Sequence, residues 1–507
     1  MTATPAPTPR WSSLTWLLPR LEDVVFVALF LVVVLLGPRL LNVDGDLGRH
    51  LTIGEHILQT GLVPTADVFS HTMPGEPLTP HEWLAQVVFA LTYRLLGLDG
   101  IVLLCAILIA LTFALVYRIA ARRSGLKLVS LALALLAAST SSLHWLARPH
   151  LFTLLLVVVW ADGLERIAQG ERVPWWRQPL IMLAWANLHG AFVIGFVVWL
   201  AYLAEAAWLT RFPRTGQPKG ATGALLLAGL LSLGVTLINP VGPALWATSI
   251  GYVGNTYLVS HTAEYLSPNF HDVGTWPFLL LIVLALVLVG LGPRRIRPGS
   301  LLVLTGWIGL GLFSVRHIPV AAVLAVPILA EVAAAALSGT AFGESWLRRE
   351  AGLHELEARL RGRLWPTASL VLIAGLFVAG LRVTPLPGGN EFSPRVFPVE
   401  AMNWVEAHPP AGRVFNYFPW GGYLLYRAWP EITVFIDGQT DFYGEALTRE
   451  YEQVITLDDA WEQILGKYDV AWVIMPAASR LVDALQTTPG WTEAYVDGTA
   501  VILERDP

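Results

Sequence analysis

The chain has 507 residues, 55% of them hydrophobic and 14% charged, with 21 Trp and a formal net charge of −5. A mean hydropathy of +0.57 excludes an ordinary soluble domain. Basic residues come in short clusters without interleaved aromatics, which gives no nucleic-acid signal, and the single cysteine, Cys105, rules out an intrachain disulfide.

Apolar runs of roughly 20 residues, the length that crosses a bilayer as a helix, recur along most of the sequence. The first, 23–43, is too long for a signal-peptide core, lacks a small-residue cleavage site and reads as an uncleaved anchor. Next comes "VDGDLGRHLTIGEHILQTGLVP" (43–64), where Asp44 and Asp46 stand at the mouth of that crossing. Residues 47–60 predict a helix with Leu47, Leu51, Gly54 and Leu58 along one stripe and Gly61 as its stop. "PTADVFSHTMPGEP" (64–77) is loop material. "EWLAQVVFALTYRLLG" (82–97) is apolar, short and carries Arg94, as a helix lying at the membrane interface would. Further spans fall at 99–120, 128–146, 151–167, 178–189, 191–208, 222–238, 275–292, 300–315, 319–337 and 366–382, about eleven crossings in all.

Lys and Arg set the orientation. The clusters are Arg10/Arg20, Arg118/Arg122/Arg123/Lys127, Arg166/Arg172/Arg177, Arg211/Arg214/Lys219, Arg294/Arg295/Arg297 and Arg348/Arg349/Arg359/Arg361/Arg363. All face the cytoplasm if 82–97 lies at the outer interface rather than crossing. The expectation is a multi-pass plasma-membrane protein with a cytoplasmic N-terminus. Its outer face collects the 44–81 loop, "HWLARPH" (144–150), His189, the loop 239–274 and Arg316–His317.

After "TPLPGGNEFSPRVFPVE" the composition turns soluble. "RVFNYF", "ITVFID", "AWVIMP" and "AVILER" predict strands, "GGYLLYRA", "EALTREYEQVI", "DAWEQIL" and "SRLVDALQ" predict helices, and "VDGT" predicts a hairpin turn. Alternation of the two suggests a small α/β domain with a mostly parallel sheet. The expected division is a polytopic α-helical membrane domain, 1–382, with its outer loop 44–98, followed by an extracytoplasmic α/β domain, 383–507.

An Asp-x-Asp pair outside the first crossing, followed by a helix of the form RxxxIGExILxxGxxP, resembles the GT-C superfamily of multi-pass membrane glycosyltransferases. The layout over residues 23–210 is similar to the arm shared by protein O-mannosyltransferases and the lipid A aminoarabinose transferase, including a short fifth helix that turns outward at His189–Gly190. "ARPHLFTLLL", "NLHGAFVIG", "NPVG…EYLSP" and "RHIP" have the look of uncharacterised bacterial GT-C-like proteins. The resemblance implies a sugar donor carried on a polyprenyl phosphate, membrane lipid around the protein, and an extracytoplasmic glycan, lipid or protein as acceptor.

Such a donor brings its own leaving group, so the site needs a base for the acceptor hydroxyl and cations or N–H groups for the departing phosphate. Asp44, partly desolvated at the lipid boundary, is the candidate base, with Asp46 as second catalytic carboxylate or helix cap. The related transferases usually carry another acid at the outer end of the third crossing, where this chain has Arg148. Candidate phosphate ligands are Arg148, His150, His189, Arg316 and His317; Arg148 and Arg316 could instead snorkel to the interface. Glu82 and Glu264 are candidates for the missing acid or for the acceptor side. Trp420, Tyr423, Asp437 and Thr440 complete the acceptor side, because "PWGGYLLYRAWPEITVFIDGQTDFYG" (419–444) resembles the aromatic-Gly-Tyr and DG-x-T motifs of oligosaccharyltransferase catalytic subunits. The acid of that motif is Gly421 or Gly422 here. Asp46 and His50, one helical turn apart, would suit a divalent cation, but no second pair has matching spacing and no metal ligand is assigned. Two other readings remain: an inactive GT-C-like scaffold or binding subunit, and a transporter of a lipid-linked substrate, against which stand the lack of an internal repeat and the placing of charges at helix ends.

Overall fold

The computed structural model describes residues 15, 17–212, 220–291, 296–338, 340–360 and 364–506. Arg10, Arg214, Lys219, Arg294, Arg295, Arg361 and Arg363 of the basic clusters lie outside these residues.

The first apolar run forms α1 (Leu21–Leu35) and, restarted by Pro38, α2 (Gly37–Asn42). The amphipathic segment behind the aspartates is α3 (Asp46–Thr60), ended by Gly61 in the left-handed region. α4 (Trp83–Ser124) contains both the expected interfacial helix and the second span, and the break between them is Gly97, at φ 60° and ψ −149°. Only glycine takes that conformation without strain. There follow α5 (Lys127–Ser141), α6 (His150–Ala168), α7 (Arg177–Leu188), α8 (Val193–Arg211), α9 (Ala221–Val235), α10 (Ala244–Gly254), α11 (Thr256–His261), α12 (Trp276–Leu291), α13 (Pro298–Phe313), α14 (Ile318–Leu337), α15 (Ala341–Arg359) and α16 (Leu364–Val378).

Every expected crossing coincides with a helix. Among the described residues, however, five are long and apolar enough to cross a membrane by themselves: Trp83–Ser124, Lys127–His144, Gly190–Arg211, Val273–Leu291 and Val315–Leu337. The others are shorter, as α9, α13 and α16 are, or carry charge, as α6 does at Asp162, Glu165 and Arg166. A helix enclosed by its neighbours need not be apolar all round, whereas one against lipid must be. Accordingly α4 and α14 are 72% buried over their apolar windows and form the centre, while α12, at 22%, turns most of its surface outward. The molecule is a polytopic helical membrane protein.

The C-terminal region runs α17 (Val399–Ala407), β1 (Arg413–Asn416), α18 (Gly421–Ala428), α19 (Thr440–Thr456), α20 (Trp461–Lys467), β2 (Val470–Pro476), α21 (Arg480–Thr487), β3 (Trp491–Val496) and β4 (Ala500–Arg505). Its sheet has the order β1-β2-β4-β3. Only β1–β2 is parallel, because the turn at "VDGT" folds β3 and β4 into an antiparallel hairpin, so the expectation of a mostly parallel sheet is corrected. "ITVFID" is not one of the strands. Its backbone pairs instead with the first loop: Val434 N–H donates to Phe69 O (3.1 Å) and His71 N–H to Val434 O (3.1 Å). On its other side Asn416, fully buried, donates to Ile436 O (2.9 Å) and accepts from Phe435 N–H (2.8 Å).

This pairing joins the C-terminal region to the loop that follows α3. α18 also lies directly on α3, and the contact is made by glycines. A Cβ on Gly45 would come within 2.0 Å of Pro419 O, and one on Gly48 within 2.3 Å of Gly422 O. The other side of α3 meets α4 in the same way, at Gly54 against Gln86 O (2.1 Å). α3 is therefore held between two elements at backbone contact.

Candidate functional site

Three carboxylates converge on one guanidinium at the α3 end of the helix bundle. Asp44 ends the turn after α2, Asp46 opens α3, and Glu264 sits in the 3-10 turn Ala263–Tyr265. Ala147 N–H donates to Leu40 O (3.1 Å), which sets the next residue, Arg148, beside the aspartates. Ser314 Oγ–H donates to Glu264 O (2.9 Å) and fixes the third acid. The Arg148 fork then engages all of them: Nη2 donates to Asp44 Oδ1 (2.6 Å) and pairs with Asp46 Oδ2, Nε donates to Asp44 Oδ2, and Nη1 donates to Glu264 Oε1 (2.8 Å). Neither aspartate caps α3, whose N-cap is Gly45.

The electrostatics are uneven. Burial and the neighbouring Asp46 push the Asp44 carboxyl up to about 6, against the pull of Arg148. For Glu264 burial acts upward too, but Arg148, His144, Arg316 and His150 together outweigh it and the carboxyl lies below its usual range. Burial works against the Arg148 charge, and Asp46, Asp44 and Glu264 more than restore it, so its proton is fixed. Arg316 stands close by and differs in kind. Its guanidinium stacks over Tyr265 at 4.3 Å, and among the described residues no carboxylate pairs with it. The other candidate phosphate ligands are engaged: the His150 Nε2 lies 2.7 Å from His144 O, His189 Nδ1 lies 2.9 Å from Thr153 Oγ1, and His317 meets the Trp307 ring edge-on.

A further set of charged and polar residues joins this cluster to the C-terminal region. A Cβ on Gly438 would fall 1.7 Å from Asp46 Oδ1, so the DG-x-T segment rests on that aspartate. One turn along α3, Arg49 Nε lies 3.4 Å from Asp437 Oδ2, both side chains buried. Asp437 also accepts from Gln439 N–H (2.8 Å). Its carboxyl is pushed to about 6 by burial, with Arg49 pulling the other way. Glu82 is ringed by His189 (3.4 Å), His50 (3.7 Å) and His81 (4.0 Å), and His81 in turn lies 3.6 Å from Asp441. Burial raises the Glu82 carboxyl and keeps His50 neutral. Arg49, His81, Glu82, Gln86 and Gln439 share a small cleft between the first loop and the C-terminal region.

No protein-family model matches the sequence, and no curated protein is similar to it in sequence. Solved structures are similar in fold. The apo oligosaccharyltransferase of Archaeoglobus fulgidus superposes with a TM-score of 0.54 at 12% identity, over 91% of this chain and 70% of that one. The same organism's oligosaccharyltransferase AglB, in complex with an inhibitory peptide and a dolichol-phosphate, gives 0.53 at 13% identity, over 97% and 74%. The arabinofuranosyltransferase AftD from Mycobacteria gives 0.50 at 16% identity; it covers 99% of this chain, which spans 42% of that one.

The fold is GT-C.

Within this fold the structure sorts the sequence-predicted residues. Asp44, Asp46, Arg148 and Glu264 form one cluster, with Arg316 beside it. Glu82, Asp437 and Thr440, whose N–H donates to Gly438 O (3.0 Å), lie beyond it, among the residues that join the first loop to the C-terminal region. Trp420 and Tyr423 are instead core residues, 3% and 2% exposed. The Trp420 indole donates to Val396 O (2.8 Å), and Tyr423 packs against Phe392 and Phe397; their aromatic faces hold α18 in place and do not reach the cluster. Asp46 and His50 do not face a common ligand, since Asp46 turns to Arg148 and His50 lies against Gln86 Nε2 (3.4 Å). Among the described residues no group of three or more His, Cys, Asp or Glu is open to a metal ion; the carboxylates that do cluster enclose a guanidinium. Sequence reading gave Arg49 no role beyond its place in the RxxxIGE pattern. Its signal was an arginine on the buried side of an amphipathic helix, a position that calls for a partner.

Proposed function

We propose that the chain is a membrane glycosyltransferase that moves a sugar from a polyprenyl-phosphate donor to an extracytoplasmic acceptor, with inversion at the anomeric carbon. The observation that carries the reading is a cluster holding a raised carboxyl, Asp44, with a further guanidinium, Arg316, that acts on its Glu264 and forms no ion pair among the described residues, at one end of this fold. AglB, in a fold of the same kind, holds a dolichol-phosphate. In the reaction proposed here the acceptor hydroxyl oxygen attacks the anomeric carbon as the carbon–oxygen bond to phosphate breaks. Asp44 takes the hydroxyl proton. The lipid phosphate departs with its negative charge, and Arg316 neutralises it. Arg148 holds Asp44 bidentately and aims it, a planar fork being suited to that task. The cleft containing Glu82, Gln86 and Gln439 lies on the acceptor side of Asp46.

A second reading is favoured by the commitment of Arg148 to carboxylates: a binding subunit without transfer activity. One experiment separates the two. The detergent-purified protein is imaged by cryo-electron microscopy with undecaprenyl phosphate. Phosphate density against Arg316, with Asp44 open to the cleft, supports the transferase; no density at Arg316 sinks it. Asp44→Asn is then expected to abolish transfer while the protein stays folded, because Arg148 keeps Asp46 and Glu264 as partners.

A further inference from the structure

We propose that Arg148 is the resident cation of this site: its guanidinium takes the place a divalent ion would take among Asp44, Asp46 and Glu264, so that the trio works without a bound metal. This rests on the reading of the trio as the reaction centre.

Three carboxylates from separate segments cannot stay ionised side by side without a positive charge between them. Hard cations commonly meet that need, through a shell of oxygen ligands that includes water. Here the chain meets it itself. Nε, Nη1 and Nη2 of Arg148 all donate inward to the trio, and both oxygens of Asp44 are engaged. An ion can enter only by displacing the side chain, which the Ala147–Leu40 backbone bond and the start of α6 at His150 hold in place. A guanidinium keeps its proton at any pH the protein meets.

The choice of cation also sets the charge. One arginine leaves the cluster more negative than a divalent ion would, by one unit. That deficit keeps Asp44 a stronger base than it would be as a metal ligand.

The test needs no sugar donor, so its failure is distinct from failure of the transferase reading. Purified protein is titrated with Mn2+ and the free ion followed by electron paramagnetic resonance, for the wild type, Arg148→Gln and Arg148→Ala, each with and without Asp44→Asn. The wild type should show no Mn2+ uptake that Asp44→Asn removes. Arg148→Gln and Arg148→Ala should each gain one site, at least about tenfold tighter than any wild-type binding, and lose it again with Asp44→Asn. Wild-type uptake that Asp44→Asn abolishes would overturn the proposal, as would folded Arg148 variants that gain no site. If neither variant folds, the wild-type titration decides.

Discussion

Asp44 is placed between opposing influences, and the balance fixes its chemistry. Because its carboxyl is pushed up to about 6, it is ionised above that pH and protonated below. The transfer rate should therefore be flat above pH 6 and fall by about tenfold per unit beneath it. An ordinary aspartate would hold its rate about two units lower, so a pH–rate profile flat to pH 4 would refute the raised carboxyl of Asp44. Arg316 makes no ion pair among the described residues and pulls on Glu264 only as the third of four cationic neighbours, so removing it should cost little stability. Arg316→Ala should keep its thermal midpoint yet bind undecaprenyl phosphate at least about tenfold more weakly, the worth of one charge-assisted bond, as read by tryptophan fluorescence titration. At this scale much was legible. Acidic residues at the mouth of a crossing and arginines beside lipid announce themselves by their cost. What could not be read was the pairing, since Arg148 meets partners 104 and 116 residues away and nothing local encodes such a separation.

Elements were legible where local chemistry decides them. The helix after the aspartates, its glycine stop, the break at Gly97 and the hairpin at "VDGT" all follow from periodicity and turn residues. "ITVFID" has the composition of a central strand, but its partners are the first loop and a side chain, so its place depends on a docking no local pattern records. That docking turns on the close approach of α3 and α18. Gly48→Ala would push a methyl against Gly422 O and should cost about 1–3 kcal/mol, as overpacking does. Limited proteolysis in detergent should then release the C-terminal region faster than in the wild type. Gly223→Ala in α9 is the control: a Cβ there meets nothing within 4 Å, and the helix should gain roughly 1 kcal/mol. Equal protease sensitivity of the two variants would refute the close contact.

Across the whole molecule, charge is held at both ends of the helices. At the ends away from Asp44, Arg123 pairs with Glu331 (2.9 Å) and Glu165 (3.5 Å), and Arg297 pairs with Glu165 (2.6 Å) and Glu205 (3.0 Å). These arginines read in the sequence as markers of orientation only, and the fold gives them buried partners as well. Glu165 and Glu205 are 2% exposed and both pair with Arg297, the partner of Glu205 among the described residues, so Arg297→Ala should destabilise by about 3–5 kcal/mol through a stranded buried charge. Thermal unfolding checks this, and a loss under 1 kcal/mol would show the network to be ornamental. The opposite cluster has a consequence in time. Its parts are made in the order aspartates, arginine, glutamate, over more than two hundred residues of synthesis. A nascent chain that has not yet reached residue 148 leaves the aspartate pair without its arginine at the membrane edge. The ribosome thus delivers the acids well before their clamp, and a transcript truncated in that interval yields a fragment that quality-control proteases would meet with its charge exposed.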